Sequence, residues 1–170
     1  MAIFEISYQI TQTNEGWSGQ PYKDNNGAWC RYGVNQAFWP DMPEGFYSGA
    51  MDDATALAAA EGHYRNVEWK AVHGDDLADQ ILANHLFDMA VNAGVGAATL
   101  LLQAILNDQL NLGLAEDGGF GPATLAAITA HPHMEWLYRL GRVGYYTAES
   151  LKPQGKGWLG AWLARVKRCG

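Results

Sequence analysis

A glutamate at the end of an amphipathic stretch is the first residue that could do chemistry. Isoleucines at helical spacing from Ile3 to Ile10 predict a helix that ends near Asn14, just before Glu15. A carboxyl group at a helix C-terminus meets the negative end of the helix dipole, which disfavours its charged form. The neighbouring Trp17 would desolvate it and act in the same direction. A carboxyl held protonated near neutral pH suits a general acid for glycosidic bond cleavage.

A long segment rich in aromatic and amide side chains follows this glutamate. Its rings are Trp17, Tyr22, Trp29, Tyr32 and Trp39, and its interleaved polar residues are Asp24, Asn25, Asn26, Asn35 and Gln36. Sugar rings pack their C–H faces on aromatic rings, and their hydroxyls need polar partners, as in most ligand pockets. For each single ring, packing in the core is the alternative. The turn-forming residues of positions 15–49 exclude a long helix but allow short strands or a hairpin.

Composition and charge exclude several classes of protein. The chain has 170 residues, of which 48% are hydrophobic, enough for a sizeable core and against disorder. Its net charge is −7, and the first 138 residues hold 17 acids against four Lys or Arg. This acidic body argues against a nucleic-acid partner. Residues 139–170 are basic. This charge indicates either a surface that contacts an anionic wall polymer or lipid, or a solvated helix face.

The cysteines and histidines predict neither a disulfide scaffold nor a metal site. Cys30 and Cys169 lie near opposite ends, and we expect two buried thiols. No His or Cys spacing matches that of zinc ligands, so we expect no metal and no organic cofactor.

The first residues lack a basic start followed by an apolar run, so the sequence predicts no secretory signal. No stretch approaches the roughly 18 apolar residues of a membrane span. We therefore expect a protein made in the cytoplasm that needs another agent to reach a target outside the membrane.

Hydrophobic periodicity predicts six further helices and a mainly α fold. The first of them begins after Asp52 or Asp53 as a cap, and the second begins after Asp76 as a cap and stops at Asn92-Ala93-Gly94. The third runs from about Gly96 to Asn107, and the fourth starts near Pro122. The fifth covers Trp136 to Val143, and the sixth covers Trp158 to Val166, after a break at Pro153-Gln154-Gly155.

Three short motifs near the start resemble a known family. They are Glu15-Gly16-Trp17, Asn25-Asn26-Gly27 and Tyr32-Gly33-Val34. Together they resemble the opening of glycoside hydrolase family 108, the N-acetylmuramidases of the secretion-activator and phage-endolysin type. In that family an E-G-G motif precedes a loop ending in a Y-G-I-like tripeptide.

Four later blocks continue the resemblance in the same order, over nearly the whole chain. They are Tyr64-Arg65 with Trp69, similar to Y-R-x-x-Y-W in shortened or altered form; Leu86 to Gly94, similar to F-D-x-A-V-N-S-G; Asp117 to Thr124, similar to D-G-x-x-G-P-x-T; and Gly155 to Leu159, similar to G-K-G-W-L-x-R with Arg165 as a displaced arginine.

The resemblance implies a lysozyme-like fold that cleaves the β-1,4 bond between N-acetylmuramic acid and N-acetylglucosamine, with Glu15 as the catalytic acid. It implies a catalytic portion at 1–94 and a helical peptidoglycan-binding-like portion at 95–170, packed in one globular unit. The expected partner of this monomer is bacterial peptidoglycan, reached in the periplasm or cell wall with the help of a holin or a secretion apparatus.

Other residues receive expected roles beside Glu15. Asp24 is a candidate second carboxylate, or a plain turn former, and Cys30 a candidate for holding water. The expected substrate contacts are Trp17, Tyr22, Trp29, Tyr32 and Asn92. Asp88, four residues before Asn92 on one helix face, would support the cleft or anchor the Glu15 loop.

Two departures from the family pattern leave rival functions open. Trp17 replaces the second Gly of E-G-G, and Cys30 replaces a Thr, whose hydroxyl is the stronger hydrogen-bonding group. The alternatives are a peptidoglycan-binding module without activity, a lytic transglycosylase that closes an anhydro ring, and a chitinase-like or chitosanase-like glycosidase.

Overall fold

The computed structural model describes residues 1–16 and 18–170, which form a mainly helical domain. The helices in this part of the chain are α1 Phe4–Glu15, α2 Asp53–Tyr64, α3 Gln80–Ala93, α4 Val95–Leu110, α5 Pro122–Ala130, α6 Glu135–Ser150 and α7 Leu159–Arg168. The strands are β1 Tyr22–Lys23, β2 Trp29–Arg31 and β3 Val34–Asn35. A π-helical segment covers Arg65–Trp69, and short 3₁₀ turns cover Gly74–Asp76 and Pro153–Gly155.

Helix α3 forms the centre of the domain. Every residue from Leu82 to Ala90 is buried, as in a helix surrounded by other elements. It packs against α1, α4 and α6. A polar contact fixes the first of these pairs, since Ser7 on α1 donates to Asn84 on α3 at 2.7 Å. Asn84 also donates to the carbonyl of Cys169 at 3.1 Å, so α3 contacts both ends of the chain.

The aromatic segment after α1 folds into a small antiparallel sheet with the order β1-β2-β3. Cys30 lies in its middle strand, opposite Tyr22 on one side and Asn35 on the other. The turn between β1 and β2 is closed by Asp24, whose Oδ1 accepts the N–H groups of Asn26 and Ala28 at 2.9 Å. The hairpin that the turn residues allowed is thus present.

The predicted start of α2 is confirmed, whereas that of α3 is wrong. Asp52 caps α2 by accepting the N–H of Thr55. Asp76, expected to cap α3, instead ends a 3₁₀ turn, and Asp79 accepts the N–H of Leu82. The extended Leu77 is buried in the core between the two turns, which delays the helix by three residues.

One hydrophobic cluster includes residues from both predicted portions of the chain, among them Leu86, Leu102 and Tyr138. The Tyr138 hydroxyl contacts Met89 Sδ of the first portion at 3.3 Å and donates to the carbonyl of Ala98 at 2.9 Å. The two cysteines are free and buried. Among the described residues, no helix is both long and apolar enough to cross a membrane.

The basic C-terminal stretch is not a uniform solvated face. Arg142 on α6 and Arg165 on α7 are both buried, at 0% and 6% exposure. Burying a guanidinium requires an anionic partner. Both cations find theirs beneath the end of α1.

Candidate active site

Glu15 is the last residue of α1, as the sequence predicts. Gly16 ends the helix in the left-handed conformation, at φ 60°, and its N–H bonds to the Gln12 carbonyl. This ending directs the chain away into the sheet and leaves the Glu15 side chain about one quarter exposed. Glu15 therefore lies at the junction of helix, sheet and solvent.

A cleft opens beside Glu15. It is lined by α1, β3, the loop after it, α2, the π-helical segment and α3, through Glu15, Gly33, Val34, Asn35, Phe38, Trp39, His63, Tyr64, Glu68 and Val91. It encloses about 570 Å³ of empty space, including its mouth. The part of this space that a water-sized molecule can occupy is about 210 Å³.

A neighbouring depression extends the cleft along the loop. It is lined by Phe38, Trp39, Pro40, Asp41, Met42 and His63, and it shares three of these residues with the cleft. The Trp39 ring is held edge-on to His63, with ring centroids 4.6 Å apart. Phe38 is 74% exposed. The two hollows together form an elongated groove with aromatic walls.

A buried ion-pair network lies behind Glu15. Arg165 donates from Nη2 to Glu15 Oε1 at 2.6 Å. The same guanidinium donates two hydrogen bonds to Asp88, from Nε to Oδ2 at 2.9 Å and from Nη2 to Oδ1 at 3.0 Å. Asn14 adds a bond to Asp88 Oδ1 at 2.8 Å. The final turn of α1 is thereby tied to α3 and α7.

Arg142 completes the network from α6. Its Nη2 donates to Asp88 Oδ2 at 2.6 Å, and its Nη1 lies 2.8 Å from His85 Nδ1. Burial opposes the charged form of Asp88, but Arg142 and Arg165 outweigh it and lower its pKa. Burial, reinforced by Arg142, lowers the pKa of His85 to about 3. His85 is therefore neutral and accepts from Arg142, because guanidinium can only donate.

This network adds a positive charge that the sequence argument for Glu15 did not include. From the sequence, the helix dipole and a neighbouring indole were the only expected influences on Glu15. The structure places Arg165 in direct contact with one oxygen of Glu15. The family pattern gave a signal for Arg165, as the displaced arginine of G-K-G-W-L-x-R, but nothing in the sequence singled out Arg142.

Glu68 is the carboxyl group of the cleft that the sequence analysis missed. It lies in the π-helical segment, and its Oε2 is buried without a hydrogen-bond partner among the described residues. Burial raises the pKa of Glu68 from 4.5 to about 7. The motif Tyr64-Arg65-Asn66-Val67-Glu68-Trp69 has the full length of Y-R-x-x-Y-W and is altered at Glu68. Its position four residues after Tyr64 was the available signal.

Asp24 and Cys30 make contacts within the small sheet and its turn. Both oxygens of Asp24 are engaged, Oδ1 with the turn and Oδ2 with Asn35 Nδ2 at 2.8 Å. The bond from Asn35 is the main reason that the pKa of Asp24 is lowered. Cys30 is buried in the sheet, and its thiol points to the carbonyl of Ala28. Neither residue lines the cleft.

The four aromatic residues expected to contact substrate differ in their exposure. Tyr22 and Trp29 lie on the hairpin and are exposed, with the Lys23 ammonium over the Trp29 ring. Tyr32 is buried, and its hydroxyl donates to Asp53 Oδ1 at 2.6 Å, so it anchors the sheet to α2. Trp17 lies outside the described residues.

Asp88 and Asn92 share a face of α3, as their spacing predicts, but they serve different neighbours. Asp88 is fully buried beneath Glu15. The exposed Asn92 accepts a bond from the Tyr146 hydroxyl at 3.0 Å and does not line the cleft. Asp88 thus supports the end of α1, whereas Asn92 joins α3 to α6.

One cluster of possible metal ligands lies elsewhere in the described structure. Oxygen or nitrogen atoms of Asp79, His133 and Glu135 come within 4.8 Å of one another. Asp79 already caps α3, and such groups are common without an ion. The cluster supports no metal assignment.

The fold and the groove define a mainly α domain of the lysozyme-like class. The structure of SagA from Brucella abortus is similar, with a TM-score of 0.67 over 98% of this chain and 92% of that one. The two sequences are 20% identical, so this likeness shows the fold alone.

The sequence also matches the profile of the family described as Glycosyl hydrolase 108, over residues 8–94. The chain belongs to this family and is therefore a glycoside hydrolase by family. No curated protein matched the sequence.

Proposed function

We propose that the protein is a peptidoglycan hydrolase that cleaves the β-1,4 bond between N-acetylmuramic acid and N-acetylglucosamine, with Glu15 as general acid. The observation that carries the proposal is the position of Glu15, a partly exposed carboxyl in the wall of an elongated groove within a glycoside hydrolase fold. The family assignment supports the reaction class. The groove supports a polymeric substrate.

The groove suits a glycan chain better than a small, compact ligand. Its two hollows share Phe38, Trp39 and His63, so together they offer a longer binding surface than either hollow alone. Phe38 and Trp39 offer apolar ring faces, and Asn35 offers an amide. Such a mixture of rings and polar anchors is what sugar faces and hydroxyls need.

In the proposed reaction, the Glu15 O–H donates its proton to the bridging oxygen, and the bond from that oxygen to the anomeric carbon breaks. The leaving sugar takes the bonding electrons as a hydroxyl group, and positive charge develops on the other sugar. Water then adds to the anomeric carbon and releases a proton to solvent, and the Glu15 carboxylate takes up a proton from solvent, which restores the acid. In the alternative outcome, the 6-hydroxyl of muramic acid adds instead and closes an anhydro ring.

Arg165 has a defined part in this step. It binds Oε1 of Glu15, which leaves Oε2 to carry the transferred proton. As the proton leaves, negative charge appears on Glu15, and a hydrogen bond from guanidinium to carboxylate strengthens. Because Asp88 holds Arg165 with two bonds, this stabilising charge is fixed before substrate binds.

Mass spectrometry of the products from purified sacculi tests the proposal. Hydrolysis at the proposed bond gives fragments with reducing N-acetylmuramic acid, whereas ring closure gives anhydro ends that are lighter by one water. Reducing N-acetylglucosamine ends, or binding to sacculi without any released fragment, would contradict the assignment. Oligomers of N-acetylglucosamine, supplied in parallel, separate a chitinase-like activity.

A further inference from the structure

Glu68 is a carboxyl group in the cleft that the proposed reaction does not use. It lines the same hollow as Glu15. Burial is the main cause that raises the pKa of the Tyr64 hydroxyl, and the charges of Glu68 and Glu15 raise it further. Both carboxyl groups therefore influence the same hydroxyl. Tyr64 also lines the cleft, so the two carboxyl groups border a common space.

The surroundings of the two carboxyl groups differ. Glu15 receives a hydrogen bond from Arg165. Glu68 has a buried Oε2 with no hydrogen-bond partner in the part of the chain that the structure describes. Arg65, the cation of its own segment, is turned to Glu5 and Asp75. A buried carboxyl without a cation favours its neutral form.

The backbone around Glu68 is firmly held. The next residue, Trp69, is fully buried, and its indole N–H donates to Asp75 at 2.9 Å. A methyl group at Gly74 would come within 2.2 Å of the Trp69 ring, so the turn is pressed against it. A π-helical insertion often marks a functional position, since it changes the direction of the following side chains.

We propose that Glu68 binds the glycan: its carboxylic acid group donates a hydrogen bond to an acceptor oxygen of an N-acetylated sugar seated in the cleft. This inference rests on the proposed function for the identity of the substrate. The neutral acid has an O–H to donate, whereas the ionised form is an acceptor only. The sugar oxygen supplies the partner that the protein itself does not.

The binding form of the protein is then the one with Glu68 protonated. Burial raises the pKa of this group to about 7, so the binding form predominates at pH 6 and is a small fraction at pH 8.5. Apparent affinity falls in proportion to the competent fraction. The affinity for glycan should therefore fall by up to about thirtyfold between these two pH values.

Other ionisable groups lie near Glu68, and the Glu68→Gln variant separates their titration from its own. The charged and titratable groups on the elements around it are Glu5, Tyr8 and Glu15 on α1, Asp53, Glu61, His63 and Tyr64 on α2, His85 and Asp88 on α3, and Arg65 on its own segment. Burial lowers the pKa of His63 from 6.5. Burial raises the pKa values of Tyr8 and Tyr64 above their ordinary values.

The test measures binding in the Glu15→Gln variant of the full chain, so that no glycan is cut. The probe is the peptide-free glycan of alternating N-acetylglucosamine and N-acetylmuramic acid, titrated by calorimetry at pH 6 and pH 8.5. Glu68→Gln is added to the same background, because an amide donates at every pH. Glu44→Gln, at an exposed loop position, is the matched control for the loss of one carboxyl.

The inference requires that affinity falls between pH 6 and pH 8.5 in the Glu15→Gln protein and in the Glu44 control. With Glu68→Gln, affinity should stay within about threefold of the pH 6 value at both pH values. An unchanged pH dependence in the Glu68 variant, or a loss of binding at both pH values, overturns it.

The two proposals fail separately. If wild-type protein releases no fragment from sacculi but the pH dependence follows Glu68, the hydrolase proposal fails and the Glu68 proposal stands. If wild-type protein cuts the glycan and its affinity does not depend on Glu68, the reverse holds.

Discussion

Two glutamates in one cleft show how surroundings separate identical side chains. Glu15 lies against Arg165, at the edge of a network with two guanidinium groups. Glu68 lies in the same wall, but burial dominates and raises its pKa to about 7. We propose proton transfer as the role of the first glutamate and hydrogen-bond donation as the role of the second.

The buried Glu68 should make stability depend on pH. Its folded-state pKa lies above the ordinary 4.5, so the folded protein holds this proton more tightly than the unfolded chain. The resulting stability is present below about pH 4.5 and is lost as the pH rises to about 7. The loss is up to about 3 kcal/mol, at 1.36 kcal/mol per pKa unit.

Glu68→Gln removes this dependence. We expect the free energy of unfolding of the variant minus that of wild type to be about 2–3 kcal/mol larger at pH 8 than at pH 4.5, because only wild type loses stability as the pH rises. Denaturant unfolding at both pH values measures it. An equal difference between the two proteins at both pH values would show that Glu68 is not buried as described.

Asp88 should be the most costly single polar residue to change in the network. Asp88→Asn leaves two buried guanidinium groups facing an amide, and an uncompensated buried charge costs about 3–5 kcal/mol. Glu5→Gln is the control, since it breaks an exposed pair with Arg65 worth less than about 1 kcal/mol. Chemical denaturation of both variants should give clearly unequal losses, and similar losses would contradict a structural role for the network.

At the scale of elements, the sequence predicted those helix ends that depend on neighbouring residues alone. The end of α1 at Glu15, the cap at Asp52 and the stop at Gly94 each depend on a few neighbouring residues. The start of α3 does not, because burial of Leu77 in the core decides it. Asp76 and Asp79 are equally good caps in the sequence, and only packing separates them.

Sequence patterns could not predict the π-helical segment. Its first residues continue the helical spacing of α2, so the insertion leaves no local signal. It depends on how Trp69 fits against Gly74, a contact between two separate turns. Consequently Tyr64 was identified in a motif, while Glu68 was not recognised as a cleft residue.

Gly74→Ala tests the packing of this segment. Its new methyl group would overlap the buried Trp69 ring, which should destabilise the protein by about 2–3 kcal/mol. Gly62→Ala is the matched control, because it lies inside α2 with no atom near the added methyl group. That change should stabilise by up to about 1 kcal/mol. Thermal unfolding should show opposite shifts, and a neutral result at Gly74 would mean that the segment is loosely packed.

At the scale of the whole molecule, the candidate site is assembled from both ends of the chain. Glu15 and Asp88 lie within the part that matches the family profile, whereas Arg142 and Arg165 lie well beyond it. The sequence predicted a division at residue 94, and that division remains a prediction. What patterns could not show is that the second portion supplies the cations behind Glu15.

A fragment of residues 1–94 should therefore fail to fold on its own. It would expose the face of α3 that packs on α4 and α6 and would leave Asp88 buried without either arginine. We expect poor dispersion of its amide NMR signals and no release of sacculus fragments. A cooperative unfolding transition in the fragment would instead make it an independent domain.

The central claim is that the Glu15 carboxyl transfers a proton within the cleft, and Glu15→Gln tests it most directly. The measurement is the initial rate of fragment release from purified sacculi, with thermal unfolding of both proteins as the check on folding. Since general acid catalysis contributes about a hundredfold to ten-thousandfold, the variant should lose at least about a hundredfold in rate with the fold intact. A folded Gln variant that keeps a rate within about tenfold of wild type would contradict the account.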